Sequence, residues 1–460
     1  MILKDKIFRA YDIRGKAFED YDSEGFFCIA KAFGLYEKEK LGRSEGAKLK
    51  IFVSSDGRQS QEKLFAAVVS GLQDAGCTVE TGGMIPTPMN YFAFHSDNYD
   101  ASIQLSASHN PWYDNGLKLH DRSGSVCGDE IQKIKEVAKK QSPQEINPIN
   151  TGKYEYSEKY LQKLKSMIGG QEKLKIVLDA GNGISGKWYP KILRSFGHEV
   201  VELYSELDTR FPNHQPDPEE PENLEHCKVK VLEIGADYGV CFDGDGDRVG
   251  IILSDGTCLN ADKISFVLAA DFLDRNPGKK IIYDIMTSSV LLEKVRAIGG
   301  NPIQCATGHS YIEETMKAEQ ALLGGEQSGH FMFGEAFYGH DDAILAVLRF
   351  LNAVEQDPSL LSEVTTNWTP LFEYSDKFMV ADEEKFQILE RFVSETKNIY
   401  PEANTVDGIR IDYGDLEWAI VRCSNTSPKI SIRIEAKDES SLANKKEELL
   451  EILEKSKEDR

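Results

Sequence analysis

Small polar residues that could perform chemistry follow a predicted strand near residue 105. The run Ala101–Leu105 alternates as a strand does, and Ser106-Ala-Ser108-His109-Asn-Pro111 comes directly after it. Asn110 predicts a turn, because a residue that precedes proline avoids the helical region. The Ser108 hydroxyl, with His109 beside it and Lys118 ten residues on, could act as a nucleophile near basic groups. Surface turns are built from the same residue types, so this motif alone leaves both interpretations open.

Three aspartates at alternate positions form the strongest local signal. Asp243, Asp245 and Asp247 are separated by glycines, with apolar strands predicted on both sides. Alternate side chains of an extended segment point the same way, so the three carboxylates converge and repel unless a cation lies among them. An EF-hand is excluded, because its loop needs Gly and Glu where this chain has Arg248 and Ser254. Oxygen ligands suit Mg²⁺, and we therefore predict a magnesium site.

A glycine-rich segment after another predicted strand admits two nucleotide interpretations. The run 181–186 fits Gly-x-Gly-x-x-Gly, the dinucleotide-binding arrangement, and Glu202 follows at a suitable distance. A P-loop is excluded, because Trp188 stands where Ser or Thr must reach the metal. The charge of Asp179 would oppose a pyrophosphate, and glycines also serve a tight strand-to-helix turn. We favour the structural interpretation and keep the dinucleotide one as the alternative.

Two loops nearer the C-terminus could bind a sugar phosphate. Glu326 and Ser328 are two residues apart and could pair with adjacent sugar hydroxyls, although ordinary polar loops have this composition too. A guanidinium with hydroxyls and turn amides can form a phosphate cradle, and an ordinary hairpin loop is the alternative. The residues of that second loop are Arg422, Ser424, Asn425 and Thr426, with Arg433 in the next strand. His309 precedes a predicted helix, where it would face a cleft or cap the helix.

Composition excludes several classes of protein. The net charge of −22 argues against nucleic acid and anionic membrane surfaces, which both require basic patches. The eight cysteines are scattered and include no Cys-x-x-Cys pair, which is the usage of a reducing compartment. No signal-peptide core is visible, and no apolar run approaches the roughly 18 residues of a membrane span. We expect a cytoplasmic protein that binds neither nucleic acid nor membrane.

Strand-then-helix patterns dominate the first three quarters of the chain. Predicted strands at 49–54, 174–179 and 280–285 each lead into a polar loop and an apolar helix. This alternation predicts largely parallel sheets covered on both faces, and its recurrence at roughly 110 to 130 residues indicates three copies of one α/β domain. After about residue 366 the order becomes strand, helix, three strands and helix, which predicts an α+β domain. The predicted domains are 1–150, 151–255, 256–365 and 366–460.

Taken together, these motifs resemble the α-D-phosphohexomutase superfamily and most closely its phosphomannomutase/phosphoglucomutase branch. The resemblance runs the full length and includes further blocks that carry no chemistry by themselves. The matching blocks are Phe8-Arg-Ala-Tyr-Asp-Ile-Arg-Gly15, Pro86-Thr-Pro88, Ser106-Ala-Ser-His-Asn-Pro111, Asp179-Ala-Gly-Asn-Gly183, Phe211-Pro-Asn-His-Gln-Pro-Asp-Pro218, Asp243-Gly-Asp-Gly-Asp-Arg248, Gly325-Glu-Gln-Ser-Gly-His330 and Arg422-Cys-Ser-Asn-Thr426. It implies three similar α/β domains with mixed, largely parallel sheets and a smaller C-terminal α+β domain around a central cleft.

The resemblance also implies a role for each motif. Ser108 resembles the serine that carries the transferable phosphoryl group, and its phosphate would complete the metal site of the three aspartates. Glu326 and Ser328 resemble the pair that holds sugar hydroxyls, and the loop at 422–426 resembles the grip on the distal phosphate. Arg248 would lie beside the phosphoserine. The remaining residues matched to the cleft are Tyr11, Arg14, Lys118, His309 and His330, with Lys118 or His309 as candidate general acid/base, and His109 beside Ser108 is a further catalytic candidate.

The implied reaction interconverts hexose 1-phosphate and hexose 6-phosphate on mannose or glucose, through a phosphoserine enzyme and a hexose 1,6-bisphosphate. The implied cofactors are one Mg²⁺ per chain and the bisphosphate as activator, and the implied assembly is a monomer or weak homodimer. Gln327 stands where this branch usually has Met and resembles the phosphoglucosamine mutases, while Glu313 replaces a common Lys. The N-terminal and phosphate-loop blocks outweigh Gln327. Phosphoglucosamine mutase and a non-catalytic sugar-phosphate-binding protein remain the alternatives, and intact Ser108 speaks against the latter.

Overall fold

The structure, a computed structural model, describes residues 1–43, 48–148, 157–170, 172–335, 337–381, 384–424 and 429–457. Its strands, in chain order, are β1 Ile13–Lys16, β2 Lys50–Ser55, β3 Thr78–Met84, β4 Ala101–Leu105, β5 Asp114–Asp121, β6 Gly124–Ser125, β7 Lys175–Asp179, β8 Glu199–Leu203, β9 Tyr238–Phe242, β10 Val249–Leu253, β11 Cys258–Leu259, β12 Lys280–Asp284, β13 Asn301–Cys305, β14 Leu323–Gly325, β15 Phe331–Phe333, β16 Phe372–Met379, β17 Ile409–Gly414, β18 Glu417–Cys423 and β19 Lys429–Ala436.

The helices begin after a single 3₁₀ turn at Asp5–Ile7. In chain order they are α1 Ser23–Lys40, α2 Gln61–Asp74, α3 Thr87–Ser96, α4 Asp129–Ala138, α5 Ser157–Met167, α6 Ser185–Ser195, α7 Pro221–Ile234, α8 Ala261–Arg275, α9 Ser289–Ala297, α10 His309–Glu319, α11 Ala343–Gln356, α12 Ser359–Val364, α13 Lys385–Ile399 and α14 Glu439–Lys457. Within the described ranges, no helix combines the length and the apolar character that a bilayer span requires.

The chain forms two compact units. One consists of residues 1–261 and 328–356, and the other of residues 262–327 and 357–460. The strands predicted at 49–54, 174–179 and 280–285 are present within one residue of those bounds at each end. The predicted order after residue 366 is also present, as β16, α13, β17, β18, β19 and α14. The four domain boundaries themselves stay predictions.

Three sheets share one strand order, which confirms the predicted repetition of an α/β domain. In the first sheet β4 is parallel to β2 and antiparallel to β5, and β3 lies on the other side of β2. In the second sheet β9, β7, β10 and β8 occupy the equivalent places. In the second unit β12 pairs in parallel with β13 and β14. The sheet β16-β19-β18-β17 is wholly antiparallel, as expected of the α+β domain.

The two sheets of the first unit carry the polar motifs at the carboxyl ends of their parallel strands. Ser55 pairs with Leu105, so the segments that follow β2 and β4 leave the same edge of the first sheet. Asp179 pairs with Cys241 in the second sheet, so the glycine-rich loop and the aspartate loop also leave one edge together. The strands β4, β9 and β10 are buried along their whole length, which gives these loops rigid supports. Ligand sites of open α/β sheets lie at such edges.

The packing of α2 on α1 depends on a glycine. A Cβ atom added at Gly71 would lie 2.2 Å from the carbonyl oxygen of Phe27, a backbone atom that cannot turn aside. Gly71→Ala should therefore lower the free energy of unfolding by about 1 to 3 kcal/mol, since overpacking forces the two helices apart. Urea unfolding monitored by circular dichroism measures this change.

Gly170→Ala is the matched control, because no heavy atom lies within 4 Å of an added Cβ there. This control should leave the free energy of unfolding within about 0.5 kcal/mol of the parent value. Equal effects of the two substitutions would contradict the packing argument.

Candidate active site

Three aspartates lie buried in the loop between β9 and β10. Asp243, Asp245 and Asp247 are each 0% exposed, and each places a carboxylate oxygen within 4.8 Å of the others. Asp243 Oδ1 accepts backbone N–H groups from Gly246 at 3.0 Å, Asp247 at 3.0 Å and Arg248 at 3.2 Å. These hydrogen bonds curl the loop around one carboxylate. The convergence predicted from the alternate spacing is therefore present in the structure.

The charge of this cluster is balanced by a buried lysine from the first sheet. The Nζ atom of Lys118 on β5 lies 2.8 Å from Asp245 Oδ2 and also contacts Asp247 Oδ2. Burial by itself would lower the pKa of Lys118, but the charges of Asp245 and Asp247 raise it well above its ordinary value. The ammonium group therefore stays charged and partly neutralises the three carboxylates.

The three carboxylates differ in acidity because they do not share the lysine equally. Burial and the charges of Asp247 and Asp245 raise the pKa of Asp243 well above its ordinary value. Burial also opposes the charge on Asp245, but Lys118 outweighs it and lowers the pKa of Asp245 well below the ordinary range. Within the described part of the chain, Asp245 Oδ1 and Asp247 Oδ1 accept no hydrogen bond. Buried carboxylate oxygens of this kind fit a hard divalent cation.

Ser108 lies at the edge of this cluster. Its Oγ donates to Asp243 Oδ2 at 2.5 Å and lies 3.2 Å from His109 Nδ1. Its backbone adopts a left-handed φ of +50°, which is uncommon outside glycine. A Cβ added at Gly244 would lie 2.4 Å from the Ser108 carbonyl oxygen, so the serine loop and the aspartate loop are in direct backbone contact.

Two hydroxyl residues that the sequence did not single out hold Asp245. Thr87 Oγ1 donates to Asp245 Oδ2 at 2.7 Å, and the Thr87 N–H donates to the Asp245 carbonyl at 2.9 Å. Ser106 Oγ donates to the same carboxylate oxygen at 2.8 Å and accepts the Ser108 N–H at 2.8 Å. Their positions within the Pro86-Thr-Pro88 and Ser106–Pro111 blocks were the available signal. Neither block indicates that the hydrogen-bond partner of its hydroxyl is Asp245.

A histidine and an arginine adjoin the cluster on the other side. Arg248 Nε donates to His330 Nε2 at 2.9 Å, and His330 Nδ1 lies 2.7 Å from Asp341 Oδ2. Because an arginine nitrogen can only donate, Nε2 accepts, and a neutral ring then carries its proton on Nδ1, the nitrogen nearer Asp341. Burial, with a contribution from the Arg248 charge, lowers the pKa of His330 to about 3, so the ring is neutral. Asp341 was not predicted from the sequence.

Further basic groups surround the serine. Arg14 is 8% exposed, with its guanidinium 2.7 Å from Asp12 and within 3.5 Å of the Ala107 carbonyl oxygen. Tyr11 is half-buried in the segment before β1. Burial and the charges of Arg248 and Arg14 lower the pKa of His109 well below its ordinary value. Arg14 thus places a buried guanidinium near Ser108, while His109 beside the serine is neutral.

In the second unit, one carboxylate supports two of the predicted loops. Arg422 Nε donates to Asp407 Oδ2 at 2.8 Å, and the same oxygen accepts the Thr307 N–H at 3.1 Å. His309 is the first residue of α10 and is 8% exposed, and Gly308 at the N-cap contributes no side-chain cap. The carbonyl of Ser424 accepts from the buried Lys385 Nζ at 2.8 Å. Asn425 and Thr426 lie outside the described residues.

A second carboxylate of this unit, Asp284, holds the sugar loop. It accepts the Gln327 N–H at 3.2 Å and the hydroxyls of Thr287 at 2.9 Å and Thr307 at 3.3 Å. Glu326 is buried beside this contact, with 6% of its surface exposed. In the first unit, Ser328 is half-buried two residues before His330.

Arg433 makes contacts that differ from those the sequence predicts for a phosphate ligand. Its guanidinium is 4% exposed and lies 2.8 Å from Glu435 and 3.1 Å from Glu373, both carboxylates. It also donates to the Met286 carbonyl at 3.0 Å. These contacts connect β19 to the loop after β12. They describe a structural tether, and the phosphate-binding role of Arg433 stays a prediction.

The glycine-rich loop at 181–186 packs against the aspartate loop. A Cβ at Gly183 would lie 2.7 Å from the Gly244 carbonyl oxygen. Asp179 accepts the Gly181 N–H at 2.8 Å and contacts His214 Nε2 at 3.1 and 3.2 Å. These contacts favour the structural interpretation of the glycines over dinucleotide binding.

Comparison with known proteins gives a consistent result. Four domain families match in order: phosphoglucomutase/phosphomannomutase alpha/beta/alpha domains I, II and III at residues 5–145, 155–256 and 260–371, and the C-terminal domain at 377–452. A phosphomannomutase/phosphoglucomutase from Pseudomonas syringae pv. tomato is 37% identical over 451 residues, covering 96% of this chain and 93% of that protein. One from Pseudomonas aeruginosa is 35% identical over 456 residues, covering 96% and 94%.

A solved structure agrees with these relatives. The phosphoglucomutase/phosphomannomutase family protein from Burkholderia thailandensis superimposes with a TM-score of 0.87 at 32% identity, covering 99% of this chain and 98% of that one. The chain therefore belongs to the phosphoglucomutase/phosphomannomutase family of the α-D-phosphohexomutases. The resemblance drawn from the sequence motifs is confirmed.

The pairing of His214 with Asp179 should make stability depend on pH. His214 Nδ1 also faces the Gln215 carbonyl at 2.8 Å, so both ring nitrogens have acceptors. Burial opposes the charged ring, but Asp179 and that carbonyl outweigh it and raise the pKa of His214 above 6.5. The stabilisation is therefore complete below pH 6.5 and is lost as the pH rises through the folded-state pKa. His214→Gln should cost more free energy of unfolding at about pH 5.5 than at about pH 8.5.

Urea unfolding of both proteins at the two pH values measures this difference. His226→Gln is the control, since the His226 ring lies 3.0 Å from the exposed Tyr204 hydroxyl instead of a carboxylate. At about pH 5.5 the control should cost less free energy of unfolding than His214→Gln does. A His214→Gln cost that is the same at both pH values would refute the ion pair.

Proposed function

We propose that this chain interconverts hexose 1-phosphate and hexose 6-phosphate, with Ser108 carrying the phosphoryl group between half-reactions. The observation that carries the proposal is the position of Ser108 Oγ, 2.5 Å from a buried aspartate in a cluster of three. A binding protein has no need for a strained serine at a cation site. In one half-reaction the serine O–P bond breaks as a bond forms from phosphorus to a sugar hydroxyl oxygen. In the other, the serine oxygen takes back the second phosphate of the hexose 1,6-bisphosphate.

Asp243, Asp245 and Asp247 would hold one Mg²⁺ together with a phosphoserine oxygen. When bound, the ion supplies positive charge at the phosphoryl oxygens. Phosphoryl transfer depends chiefly on such charge and on positioning. Lys118, Arg14 and Arg248 add fixed positive charge around the same serine.

Proton transfer needs a group that is neutral when the sugar hydroxyl attacks. His330 does not meet this requirement, because its Nε2 lone pair accepts the Arg248 Nε–H and burial lowers its pKa to about 3. Lys118 is less suited to act as base, since Asp245 and Asp247 keep it protonated. We therefore place His309 before Lys118 as the proton acceptor, with Lys118 as a source of charge and His330 as the partner that orients Arg248. His109 borders the serine hydroxyl at 3.2 Å and would assist in orienting it.

The remaining predicted residues bind the substrate in this proposal. Glu326 and Ser328 would hold sugar hydroxyls, while Tyr11 would contact the sugar phosphate. Arg422, Ser424, Asn425 and Thr426 would bind the phosphate that is not reacting. Because the bisphosphate must present both of its ends to one serine, this loop has to accept either phosphate.

We propose mannose and glucose phosphates as the substrates, on the strength of the N-terminal and phosphate-loop blocks. Bisphosphate would also act as the activator, since it phosphorylates Ser108. The cellular site we propose is the cytoplasm, which suits the eight free thiols. Sugar phosphates are the proposed partners of a monomer or weak homodimer.

Ser108→Ala should remove nearly all mutase activity while leaving the fold intact, because the variant lacks the oxygen that carries the phosphoryl group in this mechanism. Coupled assays on mannose 1-phosphate, glucose 1-phosphate and glucosamine 1-phosphate measure turnover. Intact-mass spectrometry should find a phosphate on the active parent protein and none on the variant. We expect kcat/KM of the parent to be markedly lower on glucosamine 1-phosphate than on the other two sugars.

Ser166→Ala is the matched control, because Ser166 is an exposed helix serine that donates only to the Lys163 carbonyl. It should keep full activity. Near-normal turnover by Ser108→Ala would overturn the phosphoserine mechanism. The highest kcat/KM on glucosamine 1-phosphate would instead favour phosphoglucosamine mutase.

Magnesium should be required for turnover and should stabilise the fold. Saturation at about 100 times the dissociation constant adds about 2.7 kcal/mol to the free energy of unfolding. Excess chelator should abolish turnover, and Asp245→Asn should lose both the activity and the Mg²⁺-dependent rise in Tm. Asp255→Asn, at an exposed turn residue, is the control and should behave as the parent does. Full turnover in chelator would contradict the metal assignment.

A further inference from the structure

Arg58 lies beneath the Ser108 loop and uses every donor of its guanidinium within the protein. Its Nη2 donates to the carbonyls of Ser108 at 2.6 Å and Asn110 at 2.9 Å. Its Nη1 donates to the carbonyls of Pro111 at 2.8 Å and Asp114 at 2.9 Å. Its Nε donates to Asp56 Oδ2 at 3.1 Å, which completes the five N–H groups of arginine.

This cluster is buried and is anchored on a central strand. Arg58 is 1% exposed and Asp56 is 2% exposed, and both follow β2. The Asp56 N–H donates to the Leu105 carbonyl at 3.0 Å, so the support is joined to the strand that precedes the serine. Phe211 covers the guanidinium, with its ring centroid 5.6 Å away. A guanidinium group that is shielded from water makes stronger hydrogen bonds than an exposed one.

We infer that Arg58 is a positioning residue for the phosphoryl-carrying serine. Four carbonyls that turn inward to one guanidinium curl the segment from Ser108 to Asp114. The curl holds Ser108 at its left-handed φ of +50°, and thereby keeps Oγ at 2.5 Å from Asp243. Without the guanidinium, the four carbonyls lose their common donor and the loop can relax to ordinary backbone angles. The inference rests on the proposed function of Ser108.

The expected kinetic signature follows from that geometry. Arg58 faces the inner side of the loop and is engaged there by protein atoms, so its loss should leave the binding of sugar phosphate nearly unchanged. Misplacement of a reacting group by about 1 Å can cost about 100-fold in rate. Arg58→Ala should therefore lower kcat by about 100-fold, with KM within about threefold of the parent value.

Chemical rescue separates positioning from general destabilisation. Arg58→Ala leaves a buried space with the Asp56 carboxylate and four carbonyl acceptors, which a free guanidinium ion matches. Guanidinium chloride at tens of millimolar should raise kcat of this variant at least about tenfold. Urea and sodium chloride at the same concentrations should not, and Ser108→Ala should not respond to guanidinium. Folded Arg58→Ala without rescue would overturn the inference.

Arg58→Lys keeps the charge but lacks the planar guanidinium and its five N–H donors. The kcat of this variant should therefore also fall, with KM unchanged. This variant decides the matter if Arg58→Ala does not fold, and turnover near the parent value would overturn the inference. Arg296→Ala is the control, because that arginine is 55% exposed in α9 and pairs only loosely with Glu293. It should match the parent in kcat and KM.

Hydrogen exchange tests the inference independently of turnover. Amides of residues 106–116 should exchange faster in Arg58→Lys than in the parent, while those of β7 should not change. Unchanged exchange at 106–116 would overturn the positioning role. If exchange at 106–116 is faster in Arg58→Lys than in the parent but the parent turns over no hexose phosphate, the positioning role stands and the proposed function is refuted.

Discussion

The first unit is organised around the mutual repulsion of three buried carboxylates on one short loop. Asp243, Asp245 and Asp247 are wholly withdrawn from water, and charges so placed are unstable unless opposite charges or hydrogen bonds compensate them. The compensation comes from elsewhere in the chain. Lys118 reaches the loop from the first sheet, and the loop's own N–H groups converge on Asp243. The lysine and the N–H groups thus offset part of the negative charge of the loop.

The two sheets of this unit can bring compensating groups to the three carboxylates because the sheets share one strand order. Each sheet ends its parallel strands in polar loops at the carboxyl edge, so the serine loop of one and the aspartate loop of the other can be brought together. Gly244 permits backbone contact with Ser108, where any side chain would collide. Thr87 and Ser106 then bind the aspartate loop from the first sheet. The contact is rigid because the strands behind both loops are buried.

Charged and neutral side chains are both held in place around the aspartate loop. Lys118 stays protonated between two carboxylates, which suits it to neutralise phosphoryl oxygens and not to accept a proton. His330 is kept neutral by burial and by Arg248, whose Nε–H occupies the lone pair of Nε2. In the second unit, Asp407 holds Arg422 and Thr307 through one carboxylate oxygen, and Asp284 accepts the Gln327 N–H. The residues that orient the motif side chains are thus less visible in the sequence than the motifs themselves.

The sequence alone determined the α/β class, the threefold repetition, the α+β C-terminal domain and the family. It did so because strand and helix periodicities are local. The alternate spacing of the carboxylates at Asp243–Asp247 likewise indicates a metal site without knowledge of the fold. The convergence of those three aspartates was predictable for the same reason, since alternate side chains of an extended segment must point together.

Only the tertiary structure decided which distant groups complete the site. Thr87 and Asp245 are 158 residues apart, and no local sequence pattern predicts that the Thr87 hydroxyl donates to the Asp245 carboxylate. The same holds for Arg58 beneath the serine loop and for Asp341 behind His330. Arg433 is the opposite case. Its position in the sequence predicts a phosphate ligand, but in the structure it forms ion pairs with Glu373 and Glu435. Such contacts depend on how sheets and loops pack, and packing follows from the whole chain and not from the spacing of any one motif.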